Sequence, residues 1–563
     1  MATHHIAMIR PHKDGNKNFL VFLLYWAILF ILYLPAAKAG RVGDFPGWVN
    51  ALTSRSFMDY VNRKGSGIPS LYQFTQVVSY FFYQLFGANA WLWHLLYITL
   101  QALNAWLLFV FFKRLLSGAL TDNGVKISFT GALLFCLCPH ISEVVVWEPS
   151  FHYLLGLLLM LAVLLCTQKF MNTQSAKYAW LGGIIFFLST YSLEVFYLTP
   201  LFVALLVIFY SFTLNYGKAV LKKSLLYFTL PQVILFLVHL SVLQAIYHES
   251  VAHIGTVAIQ LNTVNLSKLP KYIFHILFFG RFFPDAIRAK VYHFCESGVV
   301  LSFVYSLLAL TFIYIAARYR QMKKNGKAAM LLFAWALLSL ILILPLWFPD
   351  TGVVIYDRYT YVADAFIYMF LSLWLHNIFG KKVYLVIIAL YALLNIRYTH
   401  RVNAYWQQSA QIVNKLVSTF PNDTSKKVLL LDLPECLDGV QMVGTRDDGE
   451  FRMMYNAIMP KKITNPVYDV EAFYLKNITD GAHVMVINDS VLHVTLNQWG
   501  TWWLYYGYGA TSYENADFKV NMIDEGHWYE LTLKHPAIEY LLLYSVGDTW
   551  NTVDWSKKNV EQY

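Results

Sequence analysis

The chain has 563 residues, of which 58% are hydrophobic, 17% aromatic and 13% charged. Soluble domains carry about 25% charged residues, and here the apolar residues gather into runs of about 17–25, the length that crosses about 30 Å of hydrocarbon, which excludes a soluble globular class. The formal net charge of +10 does not imply a nucleic-acid partner, because Lys and Arg are spread over short loops between apolar runs, as membrane topology dictates.

The first element is the run FLVFLLYWAILFILYLPAA, with MIRPHKDGNK before it and AAKAG at its end. This pattern also fits a secretory signal peptide. An uncleaved span is the reading taken, since the following loop has a role only if it stays tied to the bundle. About eleven spans are expected: 18–36, 90–112, 128–147, 152–170, 178–192, 195–213, 225–247, 297–317, 328–347, 360–378 and 383–399. Alternation from a cytoplasmic N-terminus puts Lys113/Arg114, Lys169, Lys218/Lys222/Lys223, Arg318/Arg320/Lys323/Lys324/Lys327 and Lys381/Lys382 on one side, satisfying the positive-inside rule. An integral protein of the inner or plasma membrane follows, with its C-terminus extracytoplasmic.

Two large outer loops result, 37–89 and 248–296. LYQFTQVVSYFFYQLFG in the first suits a helix lying in the interface plane. YIFHILFFGRFFPDAIRAK in the second is a half-run stopped by Gly280 and Pro284, a pattern tolerated at membrane depth only against protein or a cavity. From 425 to 563 short alternating β-rich runs are divided by Gly, Asn and Asp turns, so a mostly β domain, with a sandwich as the leading form, is expected behind a transmembrane domain of residues 1–424. Cys136 and Cys138 read as packing residues, whereas Cys295 and Cys436 share the outer side and are able to pair.

The polar residues at the outer ends of the spans are the candidates for chemistry. Asp44, in GRVGDFPGWVN, is either an ordinary loop acid or a catalytic one, and Asp59 is the other acid of that loop. Glu143 and Glu194 are site residues or hydrogen-bonded structural groups, and His140 and His152 bracket one outer turn. Arg358 follows Asp357 at a span mouth, where a charge is costly and a guanidinium matches phosphate geometry; pairing with Asp357 or a lipid is the alternative. Arg281, Arg288 and Lys290 either share that phosphate or face solvent. Tyr359 and Tyr361 read as interfacial anchors or sugar platforms, and WGTWWLYYGYG (499–509) as a sugar or protein platform or a sandwich core. No Gly-rich phosphate loop, H-E-x-x-H or G-x-S-x-G occurs.

FYQLFGANAWLWHLLYITLQALNAWLLFVFFKRL (82–115), CPHISEVVVWEPSFHYLLGLLLML (138–161), LSTYSLEVFYLTPL (188–201), VVIYDRYTYV (353–362) and NAYWQQSAQIVNKLVSTFPN (403–422) occur in that order. Together, over residues 18–422, they resemble the GT-C glycosyltransferases, nearest the branch of TPR-linked and other protein O-mannosyltransferase-like enzymes. Pro139, Glu143 and Trp147 match one motif; Ser192 and Glu194 match another, with Leu193 in place of Lys; Asp357, Arg358, Tyr359 and Tyr361 match a third. His140 stands one place early, Pro149-Ser150-Phe151-His152 replace a Gly-Arg, and the TPR array is absent. The resemblance implies inverting transfer of a sugar from a polyprenyl-phosphate donor to a protein, lipid or glycan acceptor on the outer face. It implies Asp44 as the catalytic base, with Asp59 the substitute. No cofactor is required; a divalent metal enters only if the donor is pyrophosphate-linked, as in an oligosaccharyltransferase. A transporter or flippase is the alternative class, although no inverted repeat is visible, and an inactive scaffold whose β domain binds glycan or a partner is a third.

Overall fold

The computed structural model describes residues 15–562 apart from 40–41, 44, 55, 63–72, 118–122, 214–215, 248–261, 346–351, 422–424, 444–449, 496–502, 505–511 and 524–527. The chain is mostly helical to Thr419 and mostly β from Lys427. Among the described residues, eight helices are long and apolar enough to cross a membrane: Lys17–Ala37, Ala90–Leu116, Glu148–Thr173, Glu194–Thr213, Lys218–Ala245, Gly298–Arg318, Lys324–Ile341 and Lys381–Thr419. The protein is built for a membrane.

Eleven spans were expected, and three differ. The segment at 128–147 is two helices, Asn123–Leu137 and Pro139–Val146, bent by 53°, because Pro139 lacks an N–H and its ring forces the preceding residue out of the helical region. Counted as one span, the pair makes a ninth. The segment at 178–192 forms the 14-residue helix Ala176–Ser189, about 21 Å long at 1.5 Å per residue and too short to span alone. The third, Tyr361–Ile378, is helical but diluted by Asp364, His376 and Asn377, and it packs largely inside the bundle.

Polar side chains hold this bundle where lipid offers no hydrophobic drive between helices. His94, Tyr97, Gln101 and Asn104 recur at spacings of three and four, which puts them on one buried face of Ala90–Ser117. Asn104 Nδ2 donates to the Leu154 carbonyl at 2.9 Å and to Tyr361 Oη at 3.0 Å. Tyr361 Oη donates to Gln101 Oε1 at 2.5 Å, and Tyr97 Oη to the Glu148 carbonyl. The helices from 90, 151 and 361 are thereby pinned together.

The segment 37–89, expected as the first outer loop, contains the helix Gln73–Phe86, and 248–296, expected as the second, holds Thr263–Phe278 and Asp285–Glu296. The latter two are separated by Phe279 in the left-handed region (φ 56°), a short 3-10 turn and Pro284. All five cysteines are buried and free, so Cys295 and Cys436 do not pair.

The described residues of the β region form three sheets. One joins Thr549–Thr552, Tyr540–Val546, Lys427–Leu430 and Val467–Asp469, with parallel pairing around Lys427–Leu430. A six-stranded antiparallel sheet faces it, its strands Val491–Thr495 and Trp528–Leu533 alternating buried and half-buried positions, as one-sided packing requires. Leu429, Leu431, Val484, Val494, Leu531 and Leu542 fill the space between them. The third sheet, built on the parallel pair Leu433–Leu437 and Glu471–Leu475, is buried on both faces. Leu433, Leu437, Phe473 and Leu475 belong to the same apolar core as the helices, so helical and β regions are fused rather than tethered. The 39-residue helix Lys381–Thr419 carries this junction, with Trp550 Nε1 donating to the Leu416 carbonyl at 2.8 Å.

Candidate active site

Helix breaks supply the site. Pro139 ends one helix and begins the 3-10 turn Pro139–Ile141; Phe279 ends another; Tyr356 (φ −104°, ψ 54°) precedes the turn Asp357–Thr360. Such backbone survives at membrane depth only when protein surrounds it, and here the turns surround one another.

Asp357 is at their centre and fully buried. Its Oδ1 lies 2.6 Å from His275 Nε2 and 3.4 Å from His140 Nδ1, while Oδ2 accepts from Arg281 Nη1. Burial alone would raise the Asp357 carboxyl, but the adjacent Arg281 and the two imidazoles hold it well below the usual carboxylate range. Burial lowers His275 to about 4, so its ring is neutral at pH 7.

A second pair lies one residue on. The Arg358 backbone N–H donates to Glu143 Oε2 at 2.8 Å and its Nη1 donates to Oε1. The guanidinium lies over the rings of Tyr356 at 4.6 Å, Trp147 at 5.0 Å and Tyr359 at 5.2 Å, a cation–π arrangement suited to its planar, weakly hydrated charge. With 15% of its side chain exposed against 2% for Arg281, Arg358 is the more open of the two arginines.

The β region contributes a wall. Leu433–Leu437 and Val440–Gln441 form a hairpin whose turn is Asp438-Gly439, both at positive φ (46° and 82°), the Asp-Gly pattern favoured in two-residue hairpins. A Cβ on Gly439 would stand 2.8 Å from the Val354 carbonyl oxygen and 3.2 Å from Arg281 Nη2, so only glycine lets the tip close on the site. Arg281 Nη2 donates to the Asp438 carbonyl at 2.6 Å, and Lys476 Nζ to Asp438 Oδ1 at 2.7 Å. Arg288 braces the same corner, donating to the Arg281 carbonyl at 3.1 Å and to Asp285 Oδ1 at 2.6 Å.

The structure therefore brings together His140, Glu143, Arg281, Arg288, Asp357, Arg358 and Tyr359. Arg281 and Arg288 are buried, not solvated, whereas Lys290 is exposed. Asp44 lies outside the described residues. Its neighbour Gly43 (φ 58°) has Trp147 Nε1 2.8 Å from where a Cβ would be, and the helix Phe45–Ser54 packs on the turn Glu148–Ser150. Asp59 caps its own helix: Ser56 donates to Asp59 Oδ2 from its backbone at 2.9 Å and from its hydroxyl at 2.7 Å, and the Asp59 backbone N–H donates back to Ser56 Oγ at 3.3 Å, the reciprocal pattern of a capping box. Glu194 opens the turn Glu194–Leu198 and is half-buried. His152 lies 4.6 Å, ring to ring, from Tyr153. Most of 499–509 lies outside the described residues, apart from the short strand Trp503–Leu504.

Sequence reasoning missed His275, Asp438, Lys476 and Glu148. His275 stands in the half-run YIFHILFF, where an imidazole among aliphatics was itself a signal; Asp438-Gly439 was a legible turn pair. Glu148 is fully buried, with neither carboxylate oxygen hydrogen-bonded among the described residues.

Among the described residues, His140, His275 and Asp357 form the group whose donor atoms, within 4.8 Å of one another, match a metal-binding set. Arg281 already occupies the other Asp357 oxygen, and a divalent ion would stand beside a buried guanidinium in a low-dielectric site. The cluster fits a closed charge network better than a metal centre.

No protein-family model matches the sequence, and no curated protein matches it. Among solved structures, the chain is similar to the archaeal oligosaccharyltransferase AglB from Archaeoglobus fulgidus, solved in complex with an inhibitory peptide and a dolichol-phosphate. The identity is 13% and the TM-score 0.36, over 79% of this chain and 64% of that one. The chain thus spans less than two thirds of that protein's length.

Proposed function

We propose that this protein is a membrane glycosyltransferase of the GT-C type, taking a sugar from a polyprenyl-phosphate-linked donor and passing it with inversion to an acceptor on the outer face. The supporting observation is the meeting of the motif residues Glu143, Trp147, Asp357 and Arg358, distant in sequence, around one partly exposed guanidinium. Displacement at an anomeric carbon needs a base for the acceptor's proton and cations for the departing phosphate. Asp44 supplies the carboxylate, a general-base contribution of about 10²–10⁴-fold. Arg358 contacts the phosphate by swinging part of its fork from Glu143, which holds it in register meanwhile. Asp357, His140, His275 and Arg281 act as a rigid second layer that positions Arg358, its immediate neighbour in the chain.

The resemblance favours a monophosphate donor, and the poor fit of the buried cluster to a divalent ion leans the same way. The test is proteoliposomes loaded separately with a radiolabelled polyprenyl-monophosphate sugar and a polyprenyl-pyrophosphate oligosaccharide, with outer-face proteins, lipids and glycans then fractionated. Label leaving the monophosphate donor, insensitive to chelation, supports this reading. Label leaving only the pyrophosphate donor, with loss on chelation, replaces it by an oligosaccharyltransferase. Movement of intact donor between leaflets without transfer replaces it by a flippase.

A further inference from the structure

At the end of the bundle away from this site lie two cavities among the described residues. The larger, about 670 Å³, is walled by Phe212, Leu225 and Leu230 and rimmed by Lys218, Lys222 and Arg320. The second, about 380 Å³, shares Phe212 and Arg320 and runs along Phe312 and Ala316. The helix Lys324–Ile341 starts beside the second cavity and packs on the turn Asp357–Thr360. At 1.5 Å per residue it measures about 27 Å, close to the hydrocarbon thickness.

Three independent features mark the larger cavity as built. Among the described residues no Asp or Glu lines it, so its three rim cations have no carboxylate in the described wall. Ser211, also lining it, is 8% exposed and its Oγ has no hydrogen-bond partner among the described residues. The wall segment Leu225–Thr229 is a π-helix, a widened turn that frequently marks functional places inside α-helices. The flanking helix Gly298–Arg318 also stands off the bundle, with 6% of its membrane-length window buried against 56% for Lys324–Ile341.

We infer that this is a binding site for an anionic phospholipid, its phosphate held between Lys218, Lys222 and Arg320 and its two acyl chains laid into the two cavities that diverge at Arg320. Basic pockets between membrane helices hold anionic headgroups in this way. The paired apolar channels favour a two-chain phospholipid over a single-chain polyprenyl phosphate. The inference is independent of the transfer reaction.

The experiment is native mass spectrometry of the full chain, delipidated in mild detergent and titrated with dioleoyl-phosphatidylglycerol, dioleoyl-phosphatidylcholine, undecaprenyl phosphate and inorganic phosphate in turn. One phosphatidylglycerol should bind well ahead of phosphatidylcholine. Each cation near an anionic headgroup is worth about fivefold in affinity, so the combined Lys218→Gln, Lys222→Gln, Arg320→Gln variant should bind about a hundredfold more weakly. Lys381→Gln with Lys382→Gln, exposed cations elsewhere, should bind as the parent does. Ser211→Phe, which fills the cavity and keeps the charges, should also lose the lipid. Equal binding of phosphatidylcholine, retention in the triple variant, or retention in Ser211→Phe overturns the inference. So does displacement by millimolar inorganic phosphate, which would mean a bare anion site, or preferential binding of undecaprenyl phosphate, which would mean a donor-entry site.

Discussion

Replacing Asp357 by Asn tests the buried network most severely. The substitution keeps the shape of the side chain but removes the charge facing Arg281, whose side chain is 2% exposed and has no water to turn to. Leaving one member of a buried ion pair uncompensated costs about 3–5 kcal/mol, a large part of the about 5–15 kcal/mol that holds a protein folded. Arg281→Met should cost a similar amount by leaving Asp357 to burial and two imidazoles. The double variant should recover most of the loss, since no lone buried charge is left behind, so its cost should lie below that of either single variant and far below their sum. The assay is titration of each purified protein from maltoside micelles into dodecyl sulfate, followed by tryptophan fluorescence. An Asp357→Asn cost under about 1 kcal/mol, or simple additivity in the double variant, would refute the argument, because in a coupled buried pair neither is possible.

Arg358→Lys should lower transfer about 10²–10³-fold, nearly as far as Arg358→Gln, because an ammonium neither matches phosphate in a fork nor lies flat among Trp147, Tyr356 and Tyr359; steady-state transfer rates decide it, and rescue by Lys would reduce the role to charge alone. Gly43→Ala forces a side chain into a left-handed position at about 1 kcal/mol and pushes Trp147 off Arg358, so transfer should fall by up to about 10²-fold while the protein still inserts; unchanged transfer means the Trp147 platform is dispensable. Burial raises the carboxyl of Glu471 well above its ordinary value of 4.5. A raised carboxyl destabilises the fold increasingly as pH climbs above the unfolded value, so Glu471→Gln should raise the thermal midpoint at pH 8 and change it little at pH 4; a gain that is equal at both pH values would sink the titration argument.

The membrane class and the change to β structure after the last helix were legible because composition and periodicity report burial directly. The span count was not, since apolar runs of similar strength hide a proline break at Pro139, a helix too short at Ala176–Ser189, and a helix at Tyr361–Ile378 buried in protein rather than lipid. Arg358, Asp357 and Glu143 could be found as charges at span mouths, where cost implies purpose. Their pairing could not: Asp357 was only the alternative partner for Arg358, and the turn at Asp357–Thr360 sends successive side chains to different partners, Arg281 and Glu143. The contribution of Asp438 was illegible because hairpin chemistry specifies a turn without saying where its tip will dock.

The glycosyltransferase reading is tested most directly by transfer of radiolabelled sugar from lipid-linked donors by the parent protein and by Asp44→Asn, matched for membrane insertion. It predicts label in an outer-face acceptor for the parent and a loss of about two or more orders of magnitude in the variant. Equal transfer by both would remove Asp44 from the chemistry, and no transfer by either would contradict the glycosyltransferase reading itself.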